Sequence, residues 1–163
     1  MLSHRKDTPE YLGRSNQAHL EGPVLATPVD LLGINVVYTG PEATAAAFRV
    51  AEALARGLEA TVHVRAAVSV PYHLSVSNPL ISLSFLQQLL CGIIERFAST
   101  TRQYVLHVYL CRNRIETLLK VLRPSSVLVI GGRRRLWPTA EGRLSKAAIS
   151  AGHSVAFVDA RAF

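Results

Sequence analysis

The sequence has few of the residues on which many catalytic and structural sites depend. Its 163 residues include three aspartates, Asp7, Asp30 and Asp159, which leaves few oxygen ligands for a magnesium-dependent site. The two cysteines, Cys91 and Cys111, form no CxxC pair and have no histidine at metal-ligand spacing. We therefore expect two buried, reduced thiols and no metal centre.

Recognisable catalytic motifs are also missing. The sequence shows no Ser-His-Asp arrangement, no carboxylates paired for acid–base work and no P-loop. His63, His107 and His153 do not form a ligand pattern, and we expect each to be a strand or cap residue. The sequence thus predicts a protein that is not an enzyme.

Long apolar runs are absent as well. The richest stretch, Leu80 to Phe97, contains Ser82, Gln87 and Glu95, which excludes a spanning helix. No apolar segment follows the first basic residues, so we expect no secretory signal, no membrane association and a cytoplasmic location.

Positive charge, in contrast, is plentiful. The formal net charge is +7 at pH 7, and 15 arginines outnumber three lysines. Such an excess could attract nucleic acid, anionic lipid or a phosphorylated small molecule. Most arginines, however, are scattered beside glutamates on helical segments, as on an ordinary solvated face, and only residues 133–135 form a run. Nucleic-acid binding is therefore not expected.

The pattern of apolar residues predicts an α/β domain over residues 33–163, preceded by an arm or leader over residues 1–32 that lacks periodicity. Predicted strands alternate with predicted amphipathic helices. The predicted strands cover residues 34–38, 61–68, 104–110, 126–130 and 154–158. The first predicted helix begins near Glu42, the second covers about 80–98, and the third follows a cap at Asn113. The fourth covers about 140–151, between a cap at Thr139 and Gly152. This alternation predicts an open five-stranded parallel sheet with helices on both faces.

The fourth predicted strand is the most informative stretch. Its aliphatic run, Val127 to Ile130, leads into Gly131 and Gly132 and then into consecutive arginines. Two glycines allow the backbone to approach a bound group, and the start of a following helix favours an anion. We predict a phosphate-sized turn here, although a tight exit from the strand would also explain the glycines.

The order and spacing of the five strands, Val127 to Gly131, and the closing segment Gly152 to Val158 resemble the universal stress protein family over about residues 33–159. The resemblance implies a Rossmann-like sheet of order 3-2-1-4-5, with a crevice between the ends of strands one and four. It also implies dimerisation through the last strand. Many members bind ATP through a G-x2-G-x9-G-[ST] pattern after strand four, with an acidic residue after strand one.

This sequence keeps that pattern only in part. Gly131 matches the first glycine, and Arg134 occupies the position of the second. The third glycine and its hydroxyl correspond either to Leu144 and Ser145 or to Gly142 and Arg143, depending on the direction of counting. Thr39 and Gly40 stand where the acidic residue is expected. The candidate ligand-binding residues are Tyr38, Thr39, Gly40, Gly131, Gly132, Arg133, Arg134, Gly142, Arg143 and Ser145.

Two hypotheses for function remain open. In the first, the chain is a regulatory or sensory domain whose crevice binds ATP, another adenine nucleotide or another phosphorylated small molecule. Arginines there would replace part of the glycine cradle, because guanidinium groups bind phosphate bidentately. In the second, the chain is a ligand-free dimeric interaction module that uses the wide apolar helix near residues 80–98 and the last strand as contacts.

Overall fold

Strands and helices alternate along the whole of the folded region. The structure, a computed structural model, describes residues 33–74, 82–97, 104–133 and 139–161. The strands are β1 (Gly33–Val37), β2 (Thr61–Ser69), β3 (Tyr104–Cys111), β4 (Val127–Gly132) and β5 (Ser154–Asp159); the helices are α1 (Pro41–Leu58), α2 (Leu83–Phe97), α3 (Arg114–Val121) and α4 (Ala140–Ser150). The predicted arm over residues 1–32 lies outside the described residues.

The five strands form one parallel sheet in the order β3-β2-β1-β4-β5. From β1 the chain builds the sheet in one direction through β2 and β3, and then returns to add β4 and β5 on the other side of β1. The strand order therefore reverses between β1 and β4, which is where ligands bind in open sheets of this kind. The predicted fold class is confirmed.

Each face of the sheet carries its own apolar core. On one face, α1 and α2 pack on alternate strand residues, with Ile34 and Val36 of β1 fully buried. On the other face, α3 and α4 pack against Val37, Leu128 and Ile130. The period-two alternation of the strands thus supplies both layers at once.

The predicted helix ends are confirmed at three positions. The side chain of Asn113 accepts a hydrogen bond from the Glu116 N–H over 3.2 Å at the start of α3. Thr139 does the same for the Gly142 N–H over 3.0 Å at the start of α4. Gly152 follows α4 with a φ of +87°, a conformation that glycine adopts without strain.

One boundary differs from the prediction in a way that matters for the site. The glycines expected in a turn after β4 are the last two residues of the strand itself. Gly131 pairs with Val158 and Gly132 with Asp159 of β5, and the backbone N–H of Ala160 donates to the Gly132 carbonyl over 2.9 Å. Pairing with β5 outweighs the weak strand preference of glycine, so the predicted phosphate-sized turn is wrong at these residues.

Both cysteines are free thiols. Cys111 is buried, as expected, whereas Cys91 is half-buried on α2. Among the described helices, none is long and apolar enough to cross a membrane. In the described part of the chain, no three His, Cys, Asp or Glu side chains come together in a group that could hold a metal ion.

Candidate functional site

The loop after β1 is fixed to the end of β4. The Thr39 hydroxyl donates a hydrogen bond to the Gly131 carbonyl over 2.7 Å, and the Thr39 N–H donates to Thr44 Oγ1 over 3.1 Å. Tyr38 lies just beyond β1, where its N–H continues the sheet by donating to the Arg65 carbonyl over 2.9 Å. The predicted residues Tyr38 and Thr39 therefore lie at the carboxyl edge of the sheet, in a loop held on both sides.

Gly40 is the N-cap of α1 and has φ +142° and ψ 161°. Only glycine populates this backbone region readily, because a Cβ would collide with the adjacent peptide groups. The Gly40 carbonyl accepts the first helical hydrogen bond, from the Thr44 N–H over 2.8 Å. The predicted site residue Gly40 thus has a structural reason to be glycine, namely the sharp entry into α1.

Gly131 lies directly beneath the first turn of α1. A Cβ added to it would stand 1.8 Å from the carbonyl oxygen of Ala43, so no side chain fits there unless the helix moves. The space that the sequence assigns to a ligand is taken on this side by the backbone of α1. Because glycine has no side chain, it permits this close contact between the helix and the strand.

Gly132 is enclosed in a similar way on the other face of the sheet. A Cβ at this position would lie 2.8 Å from Cζ of Phe157 and 3.2 Å from Cβ and Cγ of Glu141. Phe157 belongs to β5 and Glu141 to the first turn of α4. Gly132 therefore allows α4 and β5 to close over the end of β4.

The other predicted residues divide between two places. Arg133 is exposed, and its Nη2 lies 3.6 Å from Oε2 of Glu42 in the first turn of α1. Gly142, Arg143 and Ser145 all belong to α4. The Gly142 N–H is engaged by the Thr139 cap, Arg143 is exposed, and Ser145 is half-buried one turn further on. Arg134 lies outside the described residues.

A cleft of about 440 Å³ opens at the carboxyl edge of the sheet between the starts of α3 and α4. We call it the carboxyl-edge cleft. Of the predicted site residues, Thr39 and Arg143 line it. Further lining comes from the loop after β2, the loop after β3 and the first turns of the two helices, and includes Ser69, Tyr72, Arg112, Asn113, Arg114, Ala140 and Glu141.

Two arginines of this cleft, Arg112 and Arg114, were not among the predicted site residues. Arg112 Nη1 donates to the carbonyls of Val70, over 2.8 Å, and Pro71, and Nη2 donates to the Leu74 carbonyl over 2.9 Å. Its guanidinium also lies 5.2 Å from the centre of the Tyr72 ring. Arg112 thereby holds the loop after β2 in place and presents Tyr72 at the cleft.

Arg114 reaches across the cleft towards β1. Its Nη2 donates to the carbonyl of Tyr38 over 3.3 Å. Arg114 is the first residue of α3. A signal for both arginines was present in the sequence, since Cys111 ends a strand and Asn113 caps a helix. Residues between a parallel strand and the next helix lie at the carboxyl edge, where ligands bind.

Comparison with known proteins gives a relationship at the level of the fold. No family model and no curated protein matches the chain. Among solved structures, it is similar to a universal stress protein from Archaeoglobus fulgidus, with a TM-score of 0.52 and 15% identity, over 78% of this chain and 93% of that chain. The chain has a universal stress protein fold. Within this fold, the carboxyl-edge cleft lies beside the β1–β4 switch point.

Proposed function

We propose that the protein is a non-enzymatic regulatory or sensory domain that binds an adenine nucleotide, or another phosphorylated small molecule, in the carboxyl-edge cleft. One observation carries the proposal: a cleft beside the switch point of a universal stress protein fold combines two helix N-termini with arginine side chains. Helix N-termini and guanidinium groups are both suited to phosphate oxygens. The cytoplasmic location stays a prediction.

The phosphate groups would lie between α3 and α4. The first N–H groups of a helix have no acceptor within the helix, and Ala140 and Glu141 at the start of α4 both line the cleft. Arg114 and Arg143 add positive charge from the two sides. Glu141 opposes them with one negative charge, which favours a ligand that contacts the arginines and avoids this carboxylate.

The base or another flat group would lie against Tyr72. This side chain is 83% exposed, which is unusual for an aromatic residue, and the Arg112 contacts restrict the loop that carries it. An exposed, positioned aromatic ring can stack on a nucleobase at a gain of about 1–3 kcal/mol. Tyr72 is therefore assigned to the base, and the arginines to the phosphates.

The glycines of β4 play a different part in this proposal from the one predicted. Protein atoms occupy the space beside Gly131 and Gly132, so the cradle would consist of helix ends and side chains. Arg133 pairs with Glu42 and is not part of the lining of the cleft. We therefore expect Arg143 to matter for binding and Arg133 to matter little.

Isothermal titration calorimetry with ATP and with AMP tests the proposal. We expect saturable binding at micromolar to millimolar concentration that weakens about tenfold or more in Arg143→Ala and in Tyr72→Ala. Arg56→Ala is the matched charge control, because this exposed arginine lies in the last turn of α1. The proposal is wrong if neither nucleotide binds at millimolar concentration, or if Arg56→Ala and Arg143→Ala weaken binding equally.

The non-enzymatic part of the proposal has its own test. Among the described residues lining the cleft, Glu141 is the one carboxylate, which gives little support for activating a water or holding a metal-bound triphosphate. Incubation with ATP and Mg²⁺ should release no phosphate above the rate measured without protein. Release that Glu141→Gln abolishes would overturn this part.

A second function is favoured by a separate observation on α2. Phe85 is 60% exposed and Leu89 is 36% exposed on this helix, and β5 is an edge strand of the sheet. Both surfaces suit a homodimer, through β5 or through α2. Sedimentation velocity at micromolar concentration should show a dimer. Phe85→Ser should dissociate this dimer if α2 forms the contact, and a substitution by proline in β5 should dissociate it if β5 does. A monomer at these concentrations would show that the chain is not a dimeric interaction module.

A further inference from the structure

A second cavity lies at the opposite end of the strands. It has a volume of about 390 Å³ and is lined by the starts of β1, β2 and β3 and by the loop of residues 123–126 that leads into β4. We call it the amino-edge cavity, and its polar lining consists of Asn35, His63, Arg65, His107, Arg123 and the serines 125 and 126. It shares no lining residue with the carboxyl-edge cleft.

The cavity exists because α3 is too short to cover its face of the sheet. The eight residues of α3 extend about 12 Å, whereas the nine residues of β2 extend about 30 Å. Leu118 of this helix packs in one core with Ala67 and Cys111, which lie towards the carboxyl ends of β2 and β3. On the amino half, the same face carries half-buried polar side chains in place of apolar ones, including His63, Arg65 and His107.

Arg65 is held in position at the centre of these polar residues. Its Nε donates to Asn35 Oδ1 over 2.7 Å, and its Nη1 donates to the Tyr109 hydroxyl over 2.7 Å. Asn35 is fixed in turn, because its Nδ2 donates to the carbonyls of Gly33 and Val127, each over 3.3 Å. Among the described residues, no acceptor contacts Nη2 of Arg65. A guanidinium restrained in this way loses little entropy when it binds an anion.

The two histidines form a pair beside this arginine. Nδ1 of His63 lies 3.2 Å from Nε2 of His107, and the rings are stacked with centroids 5.4 Å apart. The edge of the His63 ring packs against Gly33, where an added Cβ would lie 2.9 Å from Cδ2. Both rings therefore have defined positions in the cavity wall.

The charge of the cavity has one sign. Arg65 and Arg123 both line it, Ser125 and Ser126 add hydroxyl groups, and none of the described lining residues carries a carboxylate. Its volume lies within the usual range for small-molecule sites, about 300–1,000 Å³. We propose that the amino-edge cavity binds a small phosphate-bearing molecule, with Arg65 as its anchor and Arg123 at its rim.

Phosphate is favoured over carboxylate because the donors come from several different elements of the lining. Arg65 and the histidines come from the strands, whereas Arg123 and the serines come from the loop before β4. A tetrahedral dianion can accept hydrogen bonds from several directions at once, whereas a planar carboxylate accepts mainly in its own plane. A dicarboxylate is therefore the appropriate competitor in the test.

Nuclear magnetic resonance of the full chain tests this inference with inorganic phosphate as the probe. The ring signals of His63 and His107, assigned through His63→Gln and His107→Gln, are followed at constant pH and ionic strength. We expect saturable shifts at millimolar phosphate that weaken at least tenfold in Arg65→Met and about threefold or more in Arg123→Ala. Arg56→Ala should leave the shifts unchanged.

Several outcomes would overturn the inference. Linear shifts without saturation, or shifts equal in Arg65→Met and the wild type, would exclude a phosphate site here. Tighter binding of succinate, a dicarboxylate, than of phosphate would show that the proposed class of ligand is wrong. If Arg65→Met fails to fold, as judged by circular dichroism, then Arg123→Ala decides, because this side chain is exposed. Arg143→Ala should not affect the histidine shifts, so failure here is distinguishable from failure of the nucleotide proposal.

Discussion

The hydroxyl of Thr39 donates to the carbonyl of Gly131 over 2.7 Å, although 92 positions separate these residues in the sequence. This bond joins the loop after β1 to the end of β4 at the point where the strand order reverses. The position of α1 and the shape of the neighbouring carboxyl-edge cleft depend on the same loop, since Thr39 lines that cleft and Gly40 caps the helix.

Replacing Thr39 tests the value of this bond. In Thr39→Val the carbonyl of Gly131 loses its partner in a half-buried site, and we expect a loss of about 1–2 kcal/mol in the free energy of unfolding. Thr39→Ser keeps the hydroxyl and should lose less than half of that amount. Urea denaturation measures both. A loss in Thr39→Ser as large as that in Thr39→Val would show that the methyl group contributes as much as the hydroxyl, and no loss in Thr39→Val would contradict the prediction.

Gly131→Ala should be among the most damaging small substitutions in the chain. The new Cβ would stand 1.8 Å from the Ala43 carbonyl oxygen, so α1 must move, and overpacking of this kind costs about 1–3 kcal/mol or more. Gly57→Ala is the matched control, because a Cβ there meets nothing within 4 Å and lies in a helix. It should stabilise the protein by about 0.5–1 kcal/mol. Thermal unfolding of the two variants should show shifts of opposite sign.

The two thiols, one buried and one half-buried, predict a loss of stability in mild alkali. Burial raises the pKa of Cys111, against smaller opposing effects from the Thr117 hydrogen bond and Arg114. Burial, assisted by the charge of Glu95, also raises the pKa of Cys91. In the unfolded chain these thiols ionise at about pH 8.5. The unfolded state therefore releases protons first as the pH rises, and the free energy of unfolding falls between about pH 8 and pH 10.

Measurement of urea denaturation at pH 7, 8, 9 and 10 checks this prediction. The decrease should be smaller in Cys111→Ala and in Cys91→Ala than in the wild type, whatever the change in stability at pH 7. Tyr104 contributes in the same direction at higher pH, since burial is the main cause that raises its pKa. If the free energy of unfolding decreases as much in both cysteine variants as in the wild type, groups other than these thiols cause the decrease.

The cap of α3 offers a smaller, local test. Asn113→Ala removes the hydrogen bond that its side chain accepts from the Glu116 N–H and should cost about 1 kcal/mol. Asn113→Asp keeps an acceptor and places a negative charge at the helix N-terminus, so it should cost less. Because Asn113 lines the carboxyl-edge cleft, the same two variants should also differ in their affinity for a nucleotide. Asn113→Asp should bind the nucleotide more weakly than Asn113→Ala does.

Local patterns were sufficient to predict the sheet and its layers. The period-two alternation of β2 is enough to place His63 and Arg65 on one face, and both line the amino-edge cavity. The proximity of His63 to His107 was not predictable in the same way. It depends on the β2–β3 register, in which Arg65 lies opposite His107, and a register between distant strands is fixed by packing of the whole sheet.

The lining of the carboxyl-edge cleft was harder to predict than the fold for a related reason. The positions of Arg112 and Arg114 between a strand and a helix cap predict that they lie at the carboxyl edge, but only the packing of α3 against β2 and β3 brings their side chains to one cleft. The two glycines of β4 gave a strong local signal, but they lie within the strand and not in a turn after it. The partner that approaches Gly131 is the carbonyl group of Ala43 from another element of the same chain, and no pattern within the strand reveals it.

The contact between Ala43 and Gly131 also bears on how such sequences change during evolution. Any residue larger than glycine at position 131 would displace α1 from the sheet, so selection for folding alone is enough to keep this glycine. A related sequence that binds no ligand would therefore still carry glycine at position 131. If the proposed function holds, the positions that would change with the ligand are the cleft residues of the loops and helix starts, such as Tyr72, Arg114 and Arg143.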